Sequence, residues 1–167
     1  MQPPLLLLDH LNVNLIAVHA QISSRKKLLQ EMAKLLTLPL DSEVRKKDVY
    51  HCLLEREKLG NTGIGNGVAL PHSRTNLTDK TILAVITLDH PIDYDSIDRQ
   101  AVDLAFGLLV PQEASQEQLN LLSEIARMVS DMDTKSELAN ASTADELIER
   151  VTHWSVVESQ NQESKPA

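Results

Sequence analysis

Glycine is concentrated in one short segment of this chain. The 167 residues include five glycines, and four of them lie within eight positions: Gly60, Gly63, Gly65 and Gly67. Because glycine adopts backbone conformations that other residues avoid, this concentration predicts one unusual loop. Exposed N–H groups in such a loop can form a concave, anion-binding nest.

The glycine-rich loop leads directly into a histidine. A short apolar stretch, residues 68–70, is followed by Pro71 and His72. Pro71 has a fixed φ, which limits the freedom of the backbone just before the imidazole. A neutral imidazole is a good nucleophile toward phosphorus and titrates near neutral pH. The segment therefore indicates a phosphohistidine site, with Arg56 or Arg74 as the nearby positive charge. Composition and spacing also leave open a tight turn followed by an ordinary loop histidine.

The spacing of these glycines excludes the two common nucleotide-binding loops. A Walker loop requires a Lys directly after its last glycine, and none follows here. A dinucleotide fingerprint requires Gly-x-Gly-x-x-Gly after a strand, whereas this segment follows a predicted helix and reads Gly-x-Gly-x-Gly.

Composition excludes several other classes of function. The net charge of −8 and the low aromatic content of 2% argue against nucleic-acid binding. The low aromatic content also predicts a mainly aliphatic core. One cysteine, Cys52, cannot form an intramolecular disulfide or a Cys-based zinc site, and we expect it to be a buried structural thiol. His51 and Glu55 share a helix face but lack a third ligand, and Asp93, Asp95 and Asp98 are more typical of turns than of a calcium loop. We expect no metal and no organic cofactor.

The absence of a long apolar run predicts that the chain does not insert into a membrane. The run near its start, residues 5–8, is far too short for a membrane span and lacks the basic leader of a signal peptide. We therefore expect a protein of the cytoplasm.

Hydrophobic periodicity predicts one α/β domain. The predicted strands are residues 14–20, 81–88 and 101–110. The predicted helices begin at Ser23 or Ser24, at Asp41 or Ser42, at Ser115, near residue 134 and after Thr143. Because strands and helices do not alternate regularly, we expect a mixed sheet covered by helices. We expect this domain to span residues 1–155 and residues 156–167 to form a disordered polar tail.

The segment around His72 resembles the phosphorylation site of the mannitol/fructose-type IIA domains of the bacterial phosphoenolpyruvate-dependent phosphotransferase system. That signature has an acidic or amide residue, an apolar-small pair, and then apolar-Ala-apolar-Pro-His. The residues that match it in register are Glu57, Ile64, Gly65, Val68, Ala69, Leu70, Pro71 and His72. The stretch from Gly60 to Gly67 resembles, more narrowly, the nitrogen-regulatory branch, and the similarity extends over residues from about 5 to 155.

This resemblance implies a three-layer α/β/α sandwich with a mixed sheet. It implies that His72 accepts a phosphoryl group from a histidine phosphocarrier protein and that Arg56 stabilises the phosphate. The loop residues expected beside the phosphate are Asn61, Thr62, Gly63, Ile64, Gly65 and Ser73. Proteins of the nitrogen branch are mainly regulatory and bind targets such as potassium-transport and sensor-kinase proteins.

The chain departs from the family pattern at two positions. Ser73 follows the histidine where the family commonly has a smaller residue, such as glycine. Asn120 occupies the place of the family's second active-site histidine, and an amide cannot supply a positive charge. Two alternatives therefore remain beside the regulatory phosphoprotein: a sugar-specific IIA component that passes phosphate to a IIB domain, and an interaction domain that has lost phosphotransfer.

Overall fold

The structure, a computed structural model, describes residues 6–163 as six α-helices, one 3₁₀ helix and six strands. The helices are α1 (Leu6–His10), α2 (Arg25–Thr37), α3 (Lys46–Leu59), α4 (Ser115–Ser130), α5 (Met132–Ala139) and α6 (Ala144–Glu163), with the 3₁₀ helix at Val13–Leu15. The strands are β1 (Ile16–Ala20), β2 (Gly63–Gly65), β3 (Val68–Ala69), β4 (His72–Thr75), β5 (Ile82–Ile92) and β6 (Val102–Pro111).

The strands form one mixed sheet in the order β1-β5-β6-β3-β2. Strand β5 pairs parallel with β1 and antiparallel with β6. On its other side, β6 pairs in parallel with β3 and then with β4, so that His72 lies opposite Leu108. Strand β4 therefore starts at His72, against the buried middle of β6, a strand at the centre of the sheet.

Helices cover both faces of this sheet, as expected for a three-layer sandwich. Helices α2 and α3 pack on one face through Leu28, Met32 and Leu53, among others. Helices α1, α4, α5 and α6 pack on the other face. Successive β6 side chains enter opposite cores, which is the consequence of the two-residue period of a strand: Phe106 belongs to the α4 side and Ala105 to the α2 side.

Several predicted boundaries are confirmed. Helix α2 begins after Ser24, whose side chain accepts a hydrogen bond from the Lys27 N–H at 3.1 Å, as an N-cap does. The Thr143 side chain likewise accepts from the Glu146 N–H at 3.1 Å, at the start of α6. Strands β5 and β6 each begin one residue later than predicted, and β5 continues four residues beyond its predicted end, to Ile92.

Two predicted boundaries differ from the structure. The predicted start of α3 at Asp41 or Ser42 is wrong, because Asp41 accepts the N–H of Val44 in a turn and the helix begins at Lys46. Helix α6 continues to Glu163, through eight residues that we expected in a disordered tail from 156 onward. No proline or glycine interrupts residues 144–163, so nothing in the chain ends the helix earlier. Residues 1–5 and 164–167 lie outside the described part of the chain.

Candidate functional site

The imidazole of His72 is held by the backbone just before it. Its Nδ1 lies 2.6 Å from the carbonyl oxygen of Leu70, and this contact is partly buried. Because a carbonyl oxygen only accepts hydrogen bonds, Nδ1 must carry the proton. In the neutral ring, Nε2 therefore keeps its electron pair, and no hydrogen bond from the residues of the described chain engages it.

The surroundings of His72 favour the neutral ring. Burial lowers the pKa of His72 below its usual value, and the positive charge of Arg56 lowers this pKa further. The hydrogen bond to Leu70 and the negative charge of Glu57 act in the opposite direction, but they do not cancel the effect of burial. At neutral pH the side chain is thus an uncharged base with a free nitrogen, the form that a nucleophile requires.

Arg56 lies on the last turn of α3, close enough to His72 to influence its titration. Its Nη1 donates to the carbonyl oxygen of Gly60 at 2.9 Å, in an exposed contact just past the helix end. Arg74, the other candidate cation, is exposed on β4, whereas the charges that shift the pKa of His72 are those of Arg56 and Glu57. Of the two candidate cations, Arg56 is thus the one whose charge acts on His72.

The glycine-rich segment forms a β-hairpin that the sequence analysis treated as a loop. Strands β2 and β3 pair antiparallel and are joined by Asn66 and Gly67, with φ values of +56° and +79°. Positive φ at both central positions is the mark of a type I′ turn, for which Asn-Gly is the preferred pair. Gly63 is required for a different reason, since a Cβ there would lie 2.2 Å from the Ser96 hydroxyl oxygen.

Side chains already bind three of the N–H groups expected to form an anion-binding nest. The Thr62 N–H donates to Glu57 at 3.2 Å, the Gly63 N–H to Asn61 Oδ1 at 2.7 Å, and the Asn66 N–H to Asp98 Oδ2 at 2.9 Å. The prediction of a nest does not hold for these groups, because oxygen atoms of the protein occupy the anion's place. The segment is instead a hairpin whose N–H groups are bound by side chains of the protein itself.

A buried carboxylate, Glu57, binds Thr62, the residue just before the hairpin. It is 7% exposed and accepts hydrogen bonds from the Tyr94 hydroxyl at 2.8 Å and from the Thr62 hydroxyl. It also forms an ion pair with Arg25, whose guanidinium lies over the Tyr94 ring at 4.9 Å from the centroid. Burial and the nearby Glu57 charge raise the pKa of Tyr94, so that this hydroxyl stays protonated as a donor.

No local pattern in the sequence predicts the contribution of Arg25 and Tyr94, and no motif predicts the buried role of Glu57. One signal was available: Glu57 follows Val49 and Leu53 at four-residue spacing, on the buried face of α3. A carboxylate on the buried, apolar face of a helix requires hydrogen-bond or ion-pair partners. Their identity could not be read from the chain, since Arg25 and Tyr94 lie 32 and 37 residues away.

The two positions that depart from the family pattern have local partners. The Ser73 hydroxyl donates to the carbonyl oxygen of Arg74 at 3.1 Å. Asn120 is exposed on α4, where its Oδ1 accepts from the Gln116 side chain at 3.0 Å. Among the described residues, no hydrogen bond joins Asn120 to His72. Its place beside the histidine thus remains a prediction.

The described residues 6–163 contain no cluster of three or more His, Cys, Asp or Glu side chains suited to a metal ion. Cys52 is partly buried, and its sulfur lies 3.6 Å from the Thr75 hydroxyl. None of the helices in the same range has the length and apolar character needed to span a membrane.

Fold and site together define an α/β sandwich that presents a neutral histidine at the start of a sheet strand, next to an arginine. The family model described as "Phosphoenolpyruvate-dependent sugar phosphotransferase system, EIIA 2" matches residues 9–154. The chain belongs to this family of phosphotransferase-system IIA proteins.

Relatives of the nitrogen-regulatory branch are similar over most of the chain. The nitrogen regulatory protein of Pseudomonas aeruginosa is 42% identical over 128 residues, 77% of this chain and 82% of the relative. A nitrogen regulatory protein homolog of Haemophilus influenzae is 36% identical over 138 residues, 81% of this chain and 80% of the relative. The crystal structure of nitrogen regulatory protein IIA-Ntr from Neisseria meningitidis superposes with a TM-score of 0.81 and 35% identity, covering 87% of this chain and 98% of that one. Over most of its length the chain is thus similar to proteins that carry the name nitrogen regulatory protein.

Proposed function

We propose that this protein is a phosphoryl-accepting regulator of the nitrogen-type phosphotransferase system. In this proposal, a histidine phosphocarrier protein phosphorylates His72, and the phosphorylation state controls binding to regulatory targets such as potassium-transport or sensor-kinase proteins. The observation that carries the proposal is the hydrogen bond from Nδ1 to the Leu70 carbonyl, because it leaves Nε2 as the free nucleophile. Because phosphoenolpyruvate is a metabolite of the cytoplasm, we propose that the protein acts there.

The proposed reaction is an in-line transfer between two histidines. Nε2 of His72 donates its electron pair to the phosphorus of the carrier's phosphohistidine. The carrier's P–N bond breaks, and its bonding pair returns to the carrier imidazole. The proton on Nδ1 of His72 stays hydrogen-bonded to the Leu70 carbonyl, which supports the charge that the ring gains.

The phosphoryl oxygens need positive charge around them during transfer. Arg56 supplies this charge in our proposal, since the Thr62 and Gly63 N–H groups already bind Glu57 and Asn61. The remaining predicted contacts to phosphate, from Ile64, Gly65 and Ser73, are part of the same proposal. No metal or organic cofactor takes part in it.

Phosphorylation changes the side chain of His72 from neutral to negatively charged. Added negative charge beside the hairpin would repel an acidic partner surface or attract a basic one. The hairpin that precedes His72 also presents an apolar side chain, Ile64, which is 42% exposed. A partner that covers both this apolar side chain and His72 would bind differently once the phosphate is present.

Incubation with phosphoenolpyruvate, the general phosphotransferase enzyme and the phosphocarrier protein tests the proposal. We expect acid-labile phosphate on the wild-type protein and none on His72→Ala. His90→Ala is the matched control, because His90 is an exposed histidine paired only with its neighbour Asp89. Label that persists in His72→Ala would refute the assignment of the site.

Two alternative functions give different results in the same experiment. A wild-type protein that takes no label from any carrier would support the interaction-only domain, the alternative that an amide at Asn120 favours. Efficient labelling only by the sugar-type carrier, followed by transfer to a IIB domain, would support the sugar-specific component.

A further inference from the structure

Glu57 occupies a position that is unfavourable for a carboxylate. It lies on the last turn of α3, where the helix dipole disfavours negative charge, and it is buried. Burying a carboxylate is costly even when it is paired, and apolar residues often replace such a pair without loss of stability. A contribution to stability therefore does not by itself explain this residue.

A continuous series of hydrogen bonds leads from Glu57 to His72. Glu57 Oε2 accepts the N–H of Thr62 at 3.2 Å, and the carbonyl oxygen of Thr62 accepts the N–H of Leu70 at 2.9 Å. The carbonyl oxygen of Leu70 then accepts Nδ1 of His72 at 2.6 Å. Three hydrogen bonds thus separate the carboxylate from the imidazole.

This connection is mechanical. The N–H and the carbonyl of Thr62 belong to different peptide groups, and the same is true of Leu70, so charge does not pass along one conjugated unit. Instead, these hydrogen bonds fix the position of the Leu70 carbonyl group. Pro71 restricts the backbone on the other side of that carbonyl. The orientation of the imidazole therefore depends on the anchoring of Thr62.

Glu57 also balances the charge of its neighbour Arg56. Arg56 and Glu57 are adjacent on the same turn and act on the His72 imidazole with opposite sign. Arg25, the cation paired with Glu57, is held in turn against the ring of Tyr94. The site thus contains a fixed negative charge behind the histidine as well as a positive charge beside it.

We propose that Glu57 is a positioning residue for His72. Through Thr62 and Leu70, it holds the imidazole with Nδ1 protonated and Nε2 free, and its negative charge offsets the positive charge that the ring gains as Nε2 bonds to phosphorus. This inference rests on the proposed phosphorylation of His72. It assigns to a buried carboxylate the orienting role that an acidic residue has in hydrolytic triads, exercised here through two backbone residues.

The variant Glu57→Gln tests the proposal. Removal of the charge leaves one acceptor oxygen for four donors, so the anchoring of Thr62 weakens. We expect ¹⁵N NMR of the His72 ring to show a mixture of the two tautomers, where the wild type shows Nδ1–H. We expect phosphotransfer to His72 to slow by about tenfold or more, as misplacement of a reacting group does. We also expect the acid limb of the pH profile, the fall of the transfer rate in acid, to move to lower pH, because the charge of Glu57 raises the pKa of His72.

Glu55→Gln is the matched control. Glu55 lies on the same helix two residues earlier, is exposed, and is hydrogen-bonded to Lys58 at 2.9 Å. Its replacement should leave the tautomer of His72, the transfer rate and the pH profile as in the wild type.

A second variant, Arg25→Gln, moves the acid limb in the opposite direction. It keeps the Glu57 carboxylate but removes the cation that balances it, so the negative charge felt by His72 grows and the acid limb should move to higher pH. If circular dichroism shows that Glu57→Gln does not fold, Arg25→Gln still tests whether the charge of Glu57 acts on His72. A folded Arg25→Gln protein with a wild-type acid limb would overturn the proposal.

The two proposals fail in distinguishable ways. A folded Glu57→Gln protein with the wild-type tautomer and pH dependence would refute the positioning role, even if its stability were lower. Absence of label on the wild-type protein would refute phosphotransfer. The tautomer and the titration of His72 are measured on unphosphorylated protein, so they test the role of Glu57 in either case.

Discussion

His72 combines two properties that depend on separate contacts. The hydrogen bond to Leu70 decides which nitrogen is free, whereas burial and Arg56 decide whether the ring is neutral. Because the pKa of His72 lies below its usual value, protonation removes the nucleophile only as pH falls below neutral. Phosphotransfer should therefore be constant near neutral pH and decline in acid.

The variant Arg56→Gln should change both the rate and the pH dependence. Loss of the guanidinium removes charge stabilisation from the phosphoryl oxygens, and we expect transfer to slow by about 10². Since Arg56 lowers the pKa of His72, its removal should raise that pKa and move the acid limb to higher pH. Initial rates of labelling between pH 5 and pH 8 would measure both effects.

Arg74→Gln is the control for this prediction, because Arg74 is an exposed cation two residues from the histidine. Equal losses in both variants would mean that the general charge of the surface, rather than Arg56, supports transfer.

At the scale of elements, the β2–β3 hairpin is where sequence and structure differ most. Its residues have no hydrophobic periodicity, so the glycines indicated only a loop. The Asn66-Gly67 pair is nevertheless a local signal for a two-residue hairpin turn. The strands themselves are set by pairing of β3 with β6, more than thirty residues away, which no local pattern encodes.

The variant Gly67→Ala should destabilise this hairpin. Gly67 has a φ of +79°, and a Cβ there would lie 2.8 Å from the amino group of Lys135 and 3.2 Å from the carbonyl oxygen of Ala101. We expect a loss of about 1–2 kcal/mol in the free energy of unfolding, measured by urea denaturation.

Gly60→Ala provides the comparison, since a Cβ at this position would meet no atom within 4 Å. A change of less than about 0.5 kcal/mol is expected there. Equal stability of the wild type and Gly67→Ala would contradict the positive-φ turn.

At the scale of the whole molecule, the sheet separates two aliphatic cores. The contact between α2 and the sheet is unusually close at Gly107, where a Cβ would lie 2.2 Å from the sulfur of Met32. Met32 is fully buried, so its side chain cannot move out to solvent. A glycine in the middle of a strand weakens the strand, and here the close packing of the helix accounts for it.

We expect Gly107→Ala to lower the free energy of unfolding by about 1–3 kcal/mol, as overpacking of a core does. Thermal or urea unfolding would measure the loss. In the double variant with Met32→Ala, the added methyl group has room, so the cost of Gly107→Ala should be smaller than in the wild-type background. A cost that is the same in both backgrounds would show that Met32 is not the obstacle.

The elements with strong periodicity and the candidate nucleophile can be predicted from the chain alone. Helices α2 and α4 and strands β5 and β6 were predicted because their apolar residues repeat over short distances along the chain. The start of α3 was not, because Asp41 and Ser42 have the residue types of a helix cap but lie in a turn.

The contacts that hold the histidine, in contrast, form only when the chain folds. The partner of Nδ1, the side chains that bind the hairpin N–H groups, and the buried set of Glu57, Arg25 and Tyr94 depend on contacts between distant segments. Local sequence patterns carry the preference of each segment for helix or strand. The partner of a buried charge is selected by the packing of the whole chain, which excludes water and leaves the protein to supply every hydrogen bond.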